Sequence, residues 1–285
     1  MKRLSLLVFF LFIPHLLWGK PVRIFFTSSL NGYIKDCLCK INPEPGLTKR
    51  HTLLKSLGFN PNRDILLETG DIVDRQSQRK NSLAIFTSYR KIGYHAIGIG
   101  RNEIKLGKKF LQSNKAPLAT ANLYSKGFFS SKPLTREITS LRRQGKTIGI
   151  ITLSSQRSLR KNLEKQGMQV LESKRILAKL VKKYRKDAWI VNFYGSLQEA
   201  RVIADTYPKM LVIAGSEKKH PKNNRYTSTE KGNRVYHVGG EGEYLGFIQL
   251  NKSLQVKTNQ ILKPDFYKTK DSPLVLKIMK KYGLK

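Results

Sequence analysis

The chain has 285 residues, 40% of them hydrophobic, and carries 54 Lys and Arg against 19 Asp and Glu, for a formal charge of +35. This length and apolar content exclude a disordered tail or a disulfide-stapled miniprotein and suit one large domain. The charge attracts nucleic acid, anionic membrane and acidic glycans weakly and salt-dependently, but it is spread along the chain with no specific nucleic-acid motif.

The first nineteen residues form a separate unit: Lys2-Arg3, an apolar core over 4–13, and Trp18-Gly19. This is the order of a secretory signal cut after Gly19, with a core too short for an ordinary membrane span. It implies an exported protein, periplasmic or secreted; left uncut, the segment is an N-terminal membrane anchor. Cys37 and Cys39 are the two cysteines. A one-residue spacing demands a strained bridge, and two thiols do not complete a zinc site, so they read as packing or redox-labile thiols.

Residues 22–27 read as a buried strand ending at Ser28-Ser29-Leu30-Asn31-Gly32, and Leu47, Leu53, Leu54 and Leu57 mark a helix face after a turn-rich loop. The apolar run Ile65-Leu66-Leu67 hands over to Glu68-Thr69-Gly70-Asp71, a buried strand delivering a carboxylate to a loop. Leu83, Phe86, Tyr89 and Arg90 mark a helix running into Gly93, and residues 96–100 a second strand, followed by Arg101-Asn102-Glu103. Strand, helix, strand implies a parallel pair with a right-handed crossover. Both loops then lie at one carboxyl-terminal sheet edge, where open α/β sheets place their sites. Further strands are expected at 117–123, 134–141, 147–153, 188–193, 210–215, 235–238, 244–250 and 256–262, with helices at 176–184, 197–207 and 273–282. No linker or repeat intervenes, so residues 20–270 read as one domain with a basic helical tail at 271–285.

Six motifs follow in order: Thr27-Ser28-Ser29-Leu30-Asn31-Gly32, Pro45-Gly46-Leu47-Thr48-Lys49-Arg50, Leu66-Leu67-Glu68-Thr69-Gly70-Asp71, the run from Gly93-Tyr94-His95-Ala96 through Gly100-Arg101-Asn102-Glu103 to Gly107, Pro117 with Ala121-Asn122-Leu123, and Gly239-Gly240-Glu241-Gly242-Glu243-Tyr244-Leu245-Gly246. Their order and spacing resemble the calcineurin-like metallophosphoesterases, specifically the N-terminal domain of secreted 5′-nucleotidases. Cys37-Leu38-Cys39 is similar in placement to the C-G-C of a secreted subgroup. The resemblance implies an α/β fold, a four-layer α-β-β-α sandwich of two mixed sheets flanked by helices. It also implies two divalent metal ions, held by Asp, His and Asn, that activate a water for attack on phosphorus.

Against that pattern, Asp71, the usual bridging carboxylate, is kept, but most other ligand positions are changed. Ser29 stands for the first aspartate, Asn31 for the first histidine, Arg101 for the liganding asparagine and Asn102 for the catalytic histidine. Asn192-Phe193-Tyr194-Gly195 stands for S-H-x-G, placing Phe193 at a metal ligand, and Gly215-Ser216-Glu217-Lys218 stands for G-H-T-H. His51, His95, His220 and His237 are not spaced as ligand pairs. The resemblance with these changes implies a catalytically degenerate protein that binds rather than hydrolyses and needs no cofactor. Asp71, Arg101, Asn102 and Glu103 are then its degenerate catalytic positions. Ser29, Asn31, Asp71, Arg101, Asn102, Asn192, Ser216 and Lys218 surround the ligand, an anion such as a nucleotide, phosphate or acidic glycan, with Lys219 nearby. Arg101 is expected to replace the metal as counter-charge and to touch the Asp71 carboxylate from a strand about 5 Å away, or about 10 Å if one strand intervenes. The alternative is an active metal-dependent phosphoesterase with unconventional ligands, two divalent ions and Asp71 among their donors.

Overall fold

A computed structural model of the chain describes residues 21–36, 44–127, 133–215, 226–238 and 242–284. The expected signal segment, Cys37, Cys39, Ser216, Lys218, Lys219 and His220 lie outside the described residues.

The chain starts in β1 (Val22–Thr27), passes through α1 (Leu47–Ser56) to β2 (Ile65–Glu68), and through α2 (Arg79–Ile92) to the short β3 (Ala96–Ile97). The three strands are parallel neighbours, as the strand–helix–strand reading requires. Gly93 closes α2 in a left-handed conformation (φ 97°), which a side chain would resist. Two short helices follow, α3 (Arg101–Ile104) and α4 (Lys108–Ser113). The expected strand at 117–123 is mostly bridges: Leu118 pairs with Ile97 and Ala119 with Arg136, and only Leu123 enters a strand, β4 (Leu123–Ser125).

The edge strand expected at 134–141 forms later, as β5 (Thr139–Arg143), in a hairpin with β6 (Lys146–Ser154). Its turn residues Gln144 and Gly145 both have positive φ, 52° and 76°, as a tight two-residue hairpin requires. Next come α5 (Gln156–Leu163), β7 (Met168–Val170), α6 (Ser173–Lys183), β8 (Ala188–Tyr194), α7 (Leu197–Thr206) and β9 (Leu211–Gly215). The chain finishes with β10 (Tyr226–Ser228), β11 (Arg234–His237), β12 (Leu245–Leu250), β13 (Val256–Leu262) and α8 (Pro273–Lys281).

Two mixed sheets result, ordered β13-β12-β1-β2-β3 and β10-β11-β9-β8-β6-β5, with β4 and β7 paired separately. The two-residue alternation of strands sorts their side chains into layers. Ile24, Phe26, Ile65 and Leu67 meet Ile148, Ile150, Ile190 and Ile213 between the sheets. Phe25 and Leu66 face outward, toward Leu47, Leu54, Ile85 and Phe86 of α1 and α2. Val191, Phe193 and Val212 face Leu177, Leu180, Ala200 and Ile203 of α6 and α7. The outcome is the expected helix–sheet–sheet–helix sandwich. Residues 271–284 are built into it: Val275, Ile278 and Met279 are buried in the layer of α1 and α2. Thr48 Oγ1 donates to Asp271 Oδ1 (2.6 Å), and His51 Nδ1 lies 2.6 Å from Ser272 Oγ.

Candidate functional site

Past the ends of β1 and β2 the two chains stay zipped. Ser29 N donates to Gly70 O (2.9 Å), Asn31 N to Asp71 O (2.9 Å) and Gly32 N to Ile72 O (3.0 Å). Within this stretch Ser29, Asn31 and Asp71 all hold positive φ, at 51°, 50° and 58°. Such conformations cost on the order of 1–3 kcal/mol each for a non-glycine residue, persist only where the surroundings impose them, and gather at functional edges. Gly100 closes the floor: a Cβ there would collide with the backbone nitrogen and Oδ1 of Asp71.

Glu103 is fully buried, and its carboxylate organises the turn. Oε1 accepts from Ile72 N (2.9 Å) and Val73 N (3.1 Å), and Oε2 from Asp71 N (2.9 Å) and Gly100 N (2.7 Å). Burial and the neighbouring Asp71 push its pKa up, to about 8, with the amides pulling the other way. Glu103 therefore splints the Asp71 loop to the start of α3. Asp71 is equally enclosed, at 1% exposure. Its Oδ1 accepts from Asn102 N (2.9 Å), and its Oδ2 accepts a short hydrogen bond from the hydroxyl of Tyr194. The Asn102 side chain is committed too, Nδ2 to Val73 O (3.1 Å) and Oδ1 to Lys105 Nζ (3.3 Å).

The Asp71–Arg101 contact expected from the sequence is not among the hydrogen bonds and ion pairs of the described residues. Arg101 is the first residue of α3, and the helix turns the next amide, Asn102 N, onto Asp71. The Arg101 Nε donates instead to Ser158 O of α5 (3.4 Å). The placement of Phe193 at a ligand position also changes. Strand alternation turns Phe193 into the helix layer with Ala200 and Ile203, and turns Asn192 and Tyr194 toward the site. Asn192 Nδ2 donates to Glu68 O (2.8 Å), tying the two sheets together. Ser29 Oγ lies 3.1 Å from Ser28 Oγ, in the buried floor. Ser29, Asn31, Asp71, Asn102, Glu103 and Asn192 thus share one edge, and Arg101 flanks it. Tyr194 is the member that motif reading missed; counting by twos along 190, 192 and 194 finds it.

Beneath this edge lies a second buried polar group. Glu68 Oε2 accepts from Thr27 Oγ1 (2.7 Å) and Tyr89 Oη (3.0 Å), and Oε1 from Thr69 N (3.0 Å). Arg50, fully buried, donates to Tyr89 Oη (2.6 Å) and Gly242 O (3.2 Å). Burial works against the Arg50 cation, but the potential of Tyr89, Tyr94 and Glu68 raises its pKa above the ordinary arginine value. The group is a charge-balanced brace between α1, α2 and β2. Glu68 itself was a signal in the sequence, since a carboxylate inside a fully buried strand requires a counter-charge.

A dinuclear metal centre needs several convergent oxygen and nitrogen donors. Among the described residues no group of three or more His, Cys, Asp or Glu is placed to hold an ion. Asp71 accepts hydrogen bonds from Asn102 and Tyr194 on its two oxygens. The described residues of this edge do not fit a metal pair.

By sequence, neither a family model nor a curated protein matches this chain. By structure, similarity is extensive. A 5′-nucleotidase precursor of Thermus thermophilus superposes with a TM-score of 0.71 at 13% identity, over 92% of this chain and 58% of that one. A sulfate thiohydrolase of the same genus gives 0.72 at 12%, over 92% and 60%. A calcineurin-like phosphoesterase of Bacillus subtilis gives 0.70 at 17% identity, over 93% of this chain and 97% of the other. The chain thus spans a little under two thirds of the nucleotidase and thiohydrolase chains and nearly all of the phosphoesterase. It has the fold of the calcineurin-like phosphoesterases, of the 5′-nucleotidase N-terminal-domain type. Among the described residues no helix is long and apolar enough to cross a membrane.

Proposed function

We propose that this chain uses the phosphoesterase fold without the hydrolytic reaction, as an exported, metal-independent protein that binds an anion. The observation that carries the reading is the closure of Asp71: a tyrosine hydroxyl and a backbone amide occupy the two oxygens that would otherwise face a metal. Any ion placed there would have to compete with these donors for the Asp71 oxygens. Export is supported by the order of charge, apolar core and Gly19 in the first nineteen residues, and anion binding by the +35 charge. A nucleotide, phosphate and an acidic glycan are the ligand classes this charge favours.

The test is metal content with turnover. The purified chain is expected to carry well under one equivalent of zinc or manganese after exposure to either, and to release no phosphate from a nucleotide or an aryl phosphate. A full equivalent with turnover that disappears in Asp71→Ala would establish instead an active enzyme with unconventional ligands.

A further inference from the structure

At the other end of the same strands, the sheet edge is open. Asp64, just before β2, lies on the order of 20 Å along the chain from Asp71, at the amino-terminal ends of β1, β2 and β6. A cavity of about 520 Å³ opens there, between the start of β1, the turn before β2 and the β5–β6 hairpin. Four of its lining residues are arginines: Arg23, Arg63, Arg142 and Arg143. That volume lies in the range of small-molecule sites.

Two of the arginines are built into the wall. Arg23 grips the buried Asp64 with two bonds, Nε to Oδ1 (2.9 Å) and Nη2 to Oδ2 (2.7 Å), and also donates to Leu57 O (2.8 Å) and Gly58 O (2.7 Å). The Asp64 charge is thereby matched. Arg143 Nη2 donates to Pro61 O (2.8 Å) and Asp64 O (3.1 Å). Its buried Nε–H has no acceptor among the described residues. Beneath it His95 is neutral by geometry: Nδ1 accepts from Leu66 N (3.1 Å), so Nε2 carries the proton and donates to Pro61 O (2.9 Å). No anion is supplied from that side. Arg63 and Arg142 stand exposed at the mouth, with no ion-pair partner among the described residues.

Three guanidinium groups unmatched by carboxylate around one cavity suit a ligand carrying two or more negative charges on forked oxygens. We propose that this amino-terminal edge is a binding site for a phosphate monoester or phosphodiester group, separate from the edge that holds Asp71. A phosphate oxygen entering beside Arg143, with a small turn of its guanidinium, supplies the acceptor that Nε lacks, while Arg63 and Arg142 close over the remaining oxygens. The inference stands on its own residues and holds whether or not Asp71 supports catalysis.

The same chemistry is offered by a soluble phosphorylated molecule and by a lipid headgroup. The full chain is titrated calorimetrically with glycerol 3-phosphate and with inorganic phosphate, and separately sedimented with vesicles of phosphatidylglycerol and phosphatidylcholine in equal parts. Each is repeated in Arg63→Gln/Arg142→Gln and in a charge-matched control on α6, Lys179→Gln/Lys182→Gln. The expected result is saturable binding at moderate salt, weakened about tenfold or more by the pocket pair and less than about twofold by the control. Vesicle binding that glycerol 3-phosphate competes away assigns a lipid headgroup; soluble binding without it assigns a free phosphorylated ligand. Arg143→Lys, which keeps the charge and loses the fork, is expected to weaken binding as well. No saturable binding in either arm, or equal weakening by the pocket pair and the control, overturns the proposal.

Discussion

The two ends of β2 resolve the same problem, charge at a sheet edge, in opposite ways. At the carboxyl end, Asp71 and Glu103 are enclosed and supplied with donors that carry no formal charge, four amides on one and an amide and a phenol on the other. At the amino end, arginines outnumber carboxylates around an open cavity, and one buried N–H lacks an acceptor. A carboxylate satisfied by backbone amides is a structural part, since any ligand must compete with donors already in place. A cationic wall with spare donors has capacity to bind. The fold's family-like edge is therefore the rigid one here, and the edge without family motifs is the one with room.

The largest expected effect comes from breaking the rigid edge. Glu103→Ala strands four buried amides at once, and a loss of about 4 kcal/mol in urea unfolding is expected. Asp71→Ala strands the Tyr194 hydroxyl and the Asn102 amide but relieves repulsion with Glu103, so about 2 kcal/mol is expected. A double-mutant cycle with Tyr194→Phe is expected to show a coupling of about 1 kcal/mol. The corresponding cycle of Asp71→Asn with Arg101→Gln is expected to stay under about 0.5 kcal/mol; a coupling near 3 kcal/mol would restore the arginine as counter-charge.

The two edges also separate by pH. The folded-state pKa of Glu103 is raised from 4.5 to about 8, so the folded state holds a proton that the unfolded chain has released. Its contribution is fully present below about pH 4.5 and is lost as pH rises toward 8. Glu103→Gln is expected to flatten that alkaline decline even where it lowers overall stability. At the other edge burial lowers the His95 pKa from 6.5, so the unfolded chain takes up the proton first and stability falls as pH drops below about 6.5. His95→Gln, measured by thermal melts across that window, is expected to weaken the acid-side decline, the smallest of these effects.

Much of the architecture was legible in the chain. Apolar runs ending in Gly-Asp and Gly-Arg placed β2 and β3 side by side, and the helical spacing of Leu83, Phe86 and Tyr89 gave α2, because local periodicity reports which face is buried. Motif order read the sandwich correctly, since glycines and core residues answer to the backbone rather than to the chemistry. Short elements escaped: α3, β7 and β10 have too few residues for a period to show, and α5 offers only Leu159 and Leu163 at helical spacing. The partners of Asp71 escaped for another reason. Tyr194 lies 123 positions away in the other sheet and meets Asp71 only when the two sheets stack. The contact of Arg101 with Ser158 depends on α5 lying beside α3. The arginine pocket likewise joins residues from β1, the turn before β2 and the β5–β6 hairpin. Period and composition are properties of a segment and can be read along it; the choice of which charge meets which donor belongs to surfaces that exist only after the layers have packed.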